Sequence, residues 1–241
     1  MGEQAIIGQI AALWRYPVKS MGGESLVSAL ITDQGLIGDR AFALSDPATD
    51  DFLTAREVPA LFQYHAHYGA VPAPASYEPV RIGFPDGSER SSADPDLEAV
   101  LAADLGCPVR LIHQPGELFD SRPLHLITTA ALHTLEQRWG RILDPRRFRA
   151  NILVRTVDNR EPFPEDRWLG ATLVVGDQIR LHIVKPCTRC VMITQDPDTC
   201  VRDPQLLTAV GALHAARFGV YAHVVHGGAV RVGDAIRLLT D

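Results

Sequence analysis

The chain has 241 residues, of which 46% are hydrophobic and 22% are charged, and its formal net charge is −6. This balance is typical of a globular protein and excludes an intrinsically disordered chain. No apolar stretch reaches the ~20 residues of a membrane-spanning helix, and the N-terminus does not resemble a secretory signal. Because an acidic chain lacks the basic field of a general nucleic-acid binder, we expect a cytoplasmic protein that binds neither membrane nor nucleic acid.

Short strands separated by turns account for most of the predicted elements. Apolar segments predict strands near residues 10–14, 26–31 and 41–44, and the Pro85-Asp86-Gly87 step predicts a hairpin. Residues 71–76 are predicted to form a surface loop. In the C-terminal half, alternating residues on either side of the Gly176-Asp177 turn predict a second hairpin, and further strands are expected at 220–225, 230–232 and 236–239.

Capping residues and apolar spacing predict three helices. The first begins at the Asp94 cap and ends before Gly106. The second runs from about residue 129 to Gly140, and the third begins at the Asp203 cap and ends at Gly219. With many short strands and few helices, the sequence favours a mainly β, barrel-rich α+β fold. We place a boundary between two domains, 1–115 and 116–241, in the loop around residues 114–116.

The most informative segment for chemistry is Lys185-Pro186-Cys187-Thr188-Arg189-Cys190, which follows an alternating strand. Two thiols at this spacing can share a metal or a disulfide, and neighbouring cations favour the thiolate form. The residues alone leave open a zinc site with Cys200 or another ligand, a redox pair, a single thiolate on a transition metal, and a simple buried pair.

Basic residues beside strand ends and turns form a second pattern. Lys19 precedes Gly22-Gly23, Arg40 opens a strand, and Arg147 and Arg149 lead into another strand. In an acidic chain, basic groups at such junctions suggest a phosphate site, because arginine pairs with two phosphate oxygens at once. Each of them taken alone is better explained as a solvated surface charge. The histidines, His125 among them, are interpreted as structural.

Four ordered motifs resemble a known family. They are Trp14-Arg15-Tyr16-Pro17-Val18-Lys19-Ser20, Gly35-Leu36-Ile37-Gly38-Asp39-Arg40, Phe148-Arg149-Ala150-Asn151-Ile152 and Cys187-Thr188-Arg189-Cys190. Together they resemble MOSC-domain proteins of the amidoxime-reducing-component type, including the β-barrel domain that precedes MOSC in that family. The resemblance covers nearly the whole chain. It implies that residues 1–115 form the N-terminal barrel domain and that residues 116–241 form the MOSC domain.

The resemblance also implies a pterin-based molybdenum cofactor, Mo-molybdopterin, with a protein cysteine on the metal. Carried over by position, the metal-ligating thiolate is Cys190, and Arg189 beside it is expected to stabilise negative charge during catalysis. The expected cofactor contacts are Lys19, Ser20, Arg40, Asp120, Ser121, Arg149, Asn151, Thr188, Arg189 and Tyr221. One departure from the family pattern is Cys200, which replaces a glycine after Asp196-Pro197-Asp198-Thr199 and is therefore expected to adopt a strained backbone if the turn is kept.

By this resemblance the chain is a molybdenum-dependent oxidoreductase that reduces N-hydroxylated compounds, such as amidoximes, hydroxylamines and N-hydroxylated bases. Because the chain contains neither the anchor nor the ferredoxin domain of some relatives, we expect electrons from a separate protein: a ferredoxin, a flavoprotein reductase or a cytochrome b5-like protein. Two alternatives remain. One is a non-catalytic carrier of cofactor or sulfur, and the other is a zinc-binding structural module that uses Cys187, Cys190 and Cys200.

Overall fold

The computed structural model describes residues 4–73, 79–158 and 160–239. In chain order the strands are β1 (Gln4–Arg15), β2 (Glu24–Leu26), β3 (Ser28–Thr32), β4 (Gly35–Leu36), β5 (Phe42–Ser45), β6 (His65–Tyr68), β7 (Val80–Gly83), β8 (Glu89–Ser91), β9 (Arg110–His113), β10 (Leu124–Thr128), β11 (Ile152–Thr156), β12 (Thr172–Val175), β13 (Ile179–Thr188), β14 (Arg217–His226), β15 (Gly228–Arg231) and β16 (Ala235–Leu239). The helices are α1 (Leu97–Leu105), α2 (Thr129–Trp139) and α3 (Pro204–His214). Strands dominate, as predicted.

Seven strands close into a barrel. The order β11-β10-β14-β13-β12-β16-β1 is completed by antiparallel pairing of β1 with β11, and β2 adds to the free side of β1. Inward side chains such as Ile10, Leu126, Leu173 and Leu181 are fully buried and form the barrel core. The mainly β, barrel-rich fold class predicted from the sequence is therefore confirmed.

A second apolar core lies between Val18 and Leu111. It is formed around β5, β6, β7, β9 and α1, with Leu44, Leu61 and Ile82 at its centre. The predicted boundary at residues 115 and 116 does not coincide with a division between the barrel strands and the rest, because β1 pairs with β11 and β16 in the barrel. The two-domain division at that position stays a prediction.

The element predictions hold in most places. The hairpins β7–β8 and β12–β13 form around the predicted turns, and α2 ends at Gly140, which has φ +80°. The helix α1 begins at Leu97 after Asp96, two residues later than predicted, because the Asp94 carboxylate instead accepts a hydrogen bond from the Ser91 backbone. Residues 74–76 of the predicted loop 71–76 lie outside the described residues.

The predicted end of the third helix is wrong. The helix α3 ends at His214, where Ala215 and Ala216 adopt positive φ, and Gly219 lies inside β14. A side chain at Gly219 would place its Cβ 2.4 Å from the Leu126 carbonyl oxygen and 2.7 Å from the His125 ring. Gly219 is therefore required for close approach of β14 to β10, and it does not cap the helix.

Within the described part of the chain, no helix is both long and apolar enough to cross a membrane.

Candidate functional site

A cavity of about 640 Å³ opens beside the barrel, and segments from both halves of the chain line it. They are the turn after β1, the segments around residues 40 and 54–56, the stretch 118–125, the turn before β11, the end of β13 and Tyr221 on β14. The volume lies within the ~300–1,000 Å³ typical of small-molecule sites.

The structure brings all the predicted site residues to this one cavity. Its lining includes Lys19, Ser20, Arg40, Asp120, Ser121, Arg149, Asn151, Thr188, Arg189, Cys190 and Tyr221. Residues separated by up to about 200 positions in sequence thus converge, which is the arrangement that a single ligand would need. The roles assigned to them individually stay predictions.

The cavity is strongly basic although the chain is acidic. Among the described residues, seven basic side chains line it, with a single carboxylate, that of Asp120. The basic residues are Lys19, Arg40, Arg56, Arg122, Arg149, Lys185 and Arg189. Such a concentration of one sign of charge focuses the field on an anionic ligand.

Four of these cations are partly buried and held by the protein, and we name them the inner basic group: Lys19, Arg40, Arg149 and Arg189. The Lys19 ammonium donates to the Leu118 carbonyl oxygen at 2.9 Å and to the Asp120 carboxylate at 2.5 Å. Burial opposes ionisation of Asp120, but the contact with Lys19 lowers its pKa, so the carboxylate stays charged.

Arg40 and Arg149 share one aromatic surface. Their guanidinium carbons lie 4.7 and 4.3 Å from the centre of the Tyr16 ring. Arg40 forms an ion pair with buried Asp39 and donates to the Arg149 carbonyl oxygen at 2.9 Å. Arg149 donates to the Met21 carbonyl oxygen at 2.5 Å and forms no ion pair with any described residue.

Arg149, unlike Arg40, therefore has no carboxylate paired with it among the described residues. Burial and the neighbouring charge of Arg40 lower the pKa of Arg149 to about 10. Because the group is still protonated at neutral pH, it carries a partly buried positive charge that an anionic ligand would neutralise.

Backbone strain is concentrated at the same place. Ser20, Arg40 and Arg149 have φ values of +70°, +45° and +53°, a region that residues with a side chain rarely adopt. Each such residue costs about 1–3 kcal/mol and is kept where the surroundings impose it, often at a ligand site. The strain supports the assignment of this cavity as functional.

The two cysteines of the Cys-x-x-Cys segment have different environments. Register shifts in β13 occur around residues 184 and 187, and such bulges re-aim the side chains that follow. Both sulfurs lie along the cavity, but Cys187, at 1% exposure, is buried in its wall, whereas Cys190 is exposed beyond the strand end. Its exposure makes Cys190 the more accessible of the two thiols to a metal held in the cavity.

Cys187 instead contacts a cluster of polar side chains. Its sulfur accepts a hydrogen bond from the Arg189 guanidinium at 2.7 Å, and Arg189 donates a second bond to the Phe148 carbonyl oxygen at 2.9 Å. Burial alone would raise the pKa of the Cys187 thiol, but the charges of His125 and Arg189 and hydrogen bonds from His125 and Tyr221 lower it to about 6. Cys187 is thus a buried thiolate at neutral pH, which makes it a counter-ion of Arg189.

Sequence reasoning missed the part that His125 plays here. His125 is buried and lies opposite Tyr221 on the neighbouring strand, its ring lies 3.3 Å from the Phe218 carbonyl oxygen, and it helps to lower the pKa of Cys187. The register between β10 and β14 brings these residues together, and no local motif marks it. Asn151 was predicted to contact a cofactor, and its amide also fixes the wall, since it accepts from the His125 backbone and donates to the Trp14 carbonyl oxygen.

The zinc alternative lacks its ligands. In the described ranges no three His, Cys, Asp or Glu side chains are grouped as a metal site requires. Cys200 packs beside the N-terminal core instead, and burial raises the pKa of its thiol. Its φ of +59° shows that the turn of the family pattern is kept at the expense of backbone strain, as expected.

The residues fit the cofactor that the resemblance implies. The exposed thiol of Cys190 suits a soft transition metal. The uncompensated charge of Arg149 suits a phosphate. In addition, the buried Nε of Arg189 has no hydrogen-bond partner within residues 4–73, 79–158 and 160–239. A buried donor without a partner indicates that a bound group completes the site.

Comparison with known proteins agrees with this geometry. The MOSC domain family matches residues 111–237, and the MOSC N-terminal beta barrel domain matches residues 7–92. Mitochondrial amidoxime reducing component 2 of Rattus norvegicus is 28% identical, over 98% of this chain and 84% of that protein. Mitochondrial amidoxime-reducing component 1 of Homo sapiens is 26% identical, over 97% of this chain and 83% of that protein.

Two further similarities are more limited. A molybdenum cofactor sulfurase of Caenorhabditis briggsae is 32% identical, over 55% of this chain and 20% of that protein. Among solved structures, the YUAD protein from Bacillus subtilis covers all of both chains with a TM-score of 0.56 at 15% identity, which supports the fold alone.

Proposed function

Because this chain belongs to the MOSC domain family, we propose that it is a molybdenum-cofactor-dependent reductase of N-hydroxylated compounds. The observation that carries the proposal is the convergence of the exposed thiol of Cys190 with the inner basic group in a single cavity. Relatives named as amidoxime reducing components, similar over nearly the whole chain, support the substrate class.

The cofactor would be held by residues that are already fixed in the structure. Cys190 would ligate the metal, and Arg149, Arg40, Lys19 and Ser20 would bind the phosphate of the pterin. When bound, the molybdenum cofactor supplies two-electron oxygen-atom chemistry. The net reaction converts an N–OH compound, two electrons and two protons into an N–H compound and water.

The chain's own residues prepare the cavity for this reaction. Arg189 is held by Cys187 and by the Phe148 carbonyl oxygen, so its guanidinium keeps a fixed orientation beside Cys190. A fixed cation stabilises negative charge without having to reorganise. Burial and the charge of Cys187 raise the pKa of Tyr221, so its hydroxyl keeps its proton and stays a hydrogen-bond donor at neutral pH.

Electrons would come from a separate protein, a ferredoxin, a flavoprotein reductase or a cytochrome b5-like protein, and we expect the reaction to take place in the cytoplasm. The cavity opens to solvent at Cys190, which gives a small donor access to the metal position.

The test combines metal analysis with turnover. Molybdenum and pterin are measured in the purified wild type and in Cys190→Ser, and benzamidoxime reduction is followed with a chemically reduced electron carrier. We expect about one molybdenum per wild-type chain and loss of both metal and turnover in the variant. A cofactor-loaded wild type that reduces no N-hydroxylated compound would contradict the proposal.

A cofactor carrier is the second candidate. It is favoured by the exposure of Cys190 and by the similarity to a protein named as a molybdenum cofactor sulfurase. Transfer of intact cofactor to an apo-enzyme, by a protein that has no turnover of its own, would identify this activity.

A further inference from the structure

Three of the seven cavity cations are not needed to hold a single phosphate. We name Arg56, Arg122 and Lys185 the outer basic group, because their side chains line the same cavity and are exposed, unlike the partly buried inner basic group. The inner basic group, with the carbonyl and aromatic contacts that fix it, already provides a complete site for one phosphate.

The outer basic group has almost no compensating negative charge in the protein. Arg56 lies 3.9 Å from Asp120, and Lys19 already holds that carboxylate at 2.5 Å. Lys185 lies 5.9 Å from the centre of the Tyr221 ring, and neither Lys185 nor Arg122 forms an ion pair in the described part of the chain.

The positive charges of the inner and outer basic groups therefore exceed the negative charges that face them. In the inner basic group, Lys19 faces Asp120, Arg40 faces Asp39 and Arg189 faces the Cys187 thiolate, so one charge, that of Arg149, is left over. The outer basic group adds three more cations that share only part of Asp120. One pterin phosphate, with at most two negative charges, offsets the inner excess and leaves most of the outer charge unmatched.

We propose that the outer basic group is a second anion subsite, which binds a phosphate or carboxylate group other than the pterin phosphate. This inference rests on the proposed function, since the inner basic group is assigned to the cofactor. The second anion has two chemical sources: a nucleotide joined to the cofactor, or an acidic group on the N-hydroxylated substrate. Both would present a flexible anion to the exposed cations that line the cavity.

The first arm of the test identifies a nucleotide. The cofactor-loaded full-length wild type is compared with the outer variant Arg56→Gln/Arg122→Gln/Lys185→Gln, and nucleotide released by acid hydrolysis is measured per molybdenum. About one nucleotide per molybdenum in the wild type, falling several-fold in the outer variant, assigns the subsite to the cofactor.

The second arm applies when the wild type carries less than about one nucleotide per ten molybdenum atoms. Equilibrium binding of 4-carboxybenzamidoxime and of neutral benzamidoxime is then measured by calorimetry at 150 mM salt, where charges separated by more than ~8 Å are screened. The wild type should bind the carboxylated compound about tenfold more tightly, a difference of about 1.4 kcal/mol. The outer variant should bind both compounds equally.

A charge-matched control separates the subsite from general electrostatics. Arg90→Gln/Arg138→Gln/Arg160→Gln removes three exposed cations that do not line the cavity and should behave as the wild type does. Absence of nucleotide together with equal affinity for the two amidoximes in the wild type overturns the subsite, as does an equal effect of the control variant. Since binding is measured without turnover, selective binding by a protein that reduces nothing would refute the reductase proposal and leave the subsite standing.

Discussion

The barrel core and the cavity wall are formed by alternate residues of the same strands, and the two sets of residues differ in chemistry. On β10, Leu124 and Leu126 are fully buried in the barrel while His125 between them faces the cavity. On β14, Val220 and Ala222 lie in the core while Tyr221 faces the cavity. On both β10 and β14, one side of the strand packs in the core and the other side carries the polar groups of the cavity.

The two surfaces also differ in how their groups are satisfied. The core consists of apolar side chains at zero or near-zero exposure, whose stability comes from burial and close packing. The cavity wall contains an uncompensated arginine, a thiolate, and three non-glycine residues with positive φ. Such features cost free energy and are typical of ligand sites. The packing of the barrel core therefore stabilises a cavity wall that is unfavourable on its own.

The largest expected effect comes from the core. Leu181→Ala, which removes a fully buried side chain from the barrel, should lower the free energy of unfolding by about 3 kcal/mol. Molybdenum bound per folded chain should stay unchanged, because Leu181 faces away from the cavity. Chemical denaturation and metal analysis of the soluble fraction measure the two quantities. The control Val27→Ala alters a side chain that is 83% exposed and should leave stability unchanged.

An effect of similar size, which depends on pH, should come from the buried thiolate. The pKa of Cys187 is about 6 in the folded protein, below the ~8.5 of a free thiol in the unfolded chain. The ionised form therefore stabilises the fold above pH ~8.5, and this contribution is lost as the pH falls through 6. The advantage of the wild type over Cys187→Ser in the free energy of unfolding should shrink by about 3 kcal/mol between pH 9 and 5.5.

The matched control for that experiment is Cys190→Ser, which exchanges the exposed thiol of the same segment. If both variants changed the pH dependence of unfolding equally, Cys187 would not be the thiolate that pairs with Arg189. If Cys187→Ser left the pH dependence as in the wild type, the same conclusion would follow.

Two arginines of the segment before β11, buried Arg147 and partly buried Arg149, are the next comparison. Arg149→Gln should reduce bound molybdenum at least tenfold, yet change the stability of the cofactor-free protein by less than about 1 kcal/mol, because the fold already disfavours its charge. Arg147→Gln should instead leave bound molybdenum unchanged and lower the stability of the cofactor-free protein. Arg147 is held by Asp196 at 2.6 Å and the Thr194 carbonyl oxygen at 3.1 Å, so its loss should cost about 2 kcal/mol of stability. Equal stability losses in the two variants would contradict the distinction.

Local patterns in the sequence predict several of the barrel strands, although not β10, and they do not predict the contacts on the cavity side. Alternation and turn residues predict β12, β13 and the position of α2, since each is fixed by neighbours within a few residues. The family motifs identified the residues that converge on the cavity. The effect of His125 on Cys187 depends on the register of β10 against β14, and the role of Gly219 depends on its close approach to β10. Both are set by distant parts of the chain, which local spacing does not encode.

The smallest expected effect concerns the strained backbone of Cys200, which lies outside the cavity wall, and tests whether cofactor binding depends on that strain. Cys200 keeps a φ of +59° in the loop that follows Cys190, where a glycine would be unstrained. Cys200→Gly should therefore be more stable than Cys200→Ala by about 1 kcal/mol, because both variants lose the sulfur and only alanine keeps the Cβ. Thermal unfolding of the two cofactor-free variants measures this difference. Molybdenum content should be the same in both, since Cys200 does not line the cavity. A lower content in the glycine variant would instead mean that the strained turn helps to position Cys190.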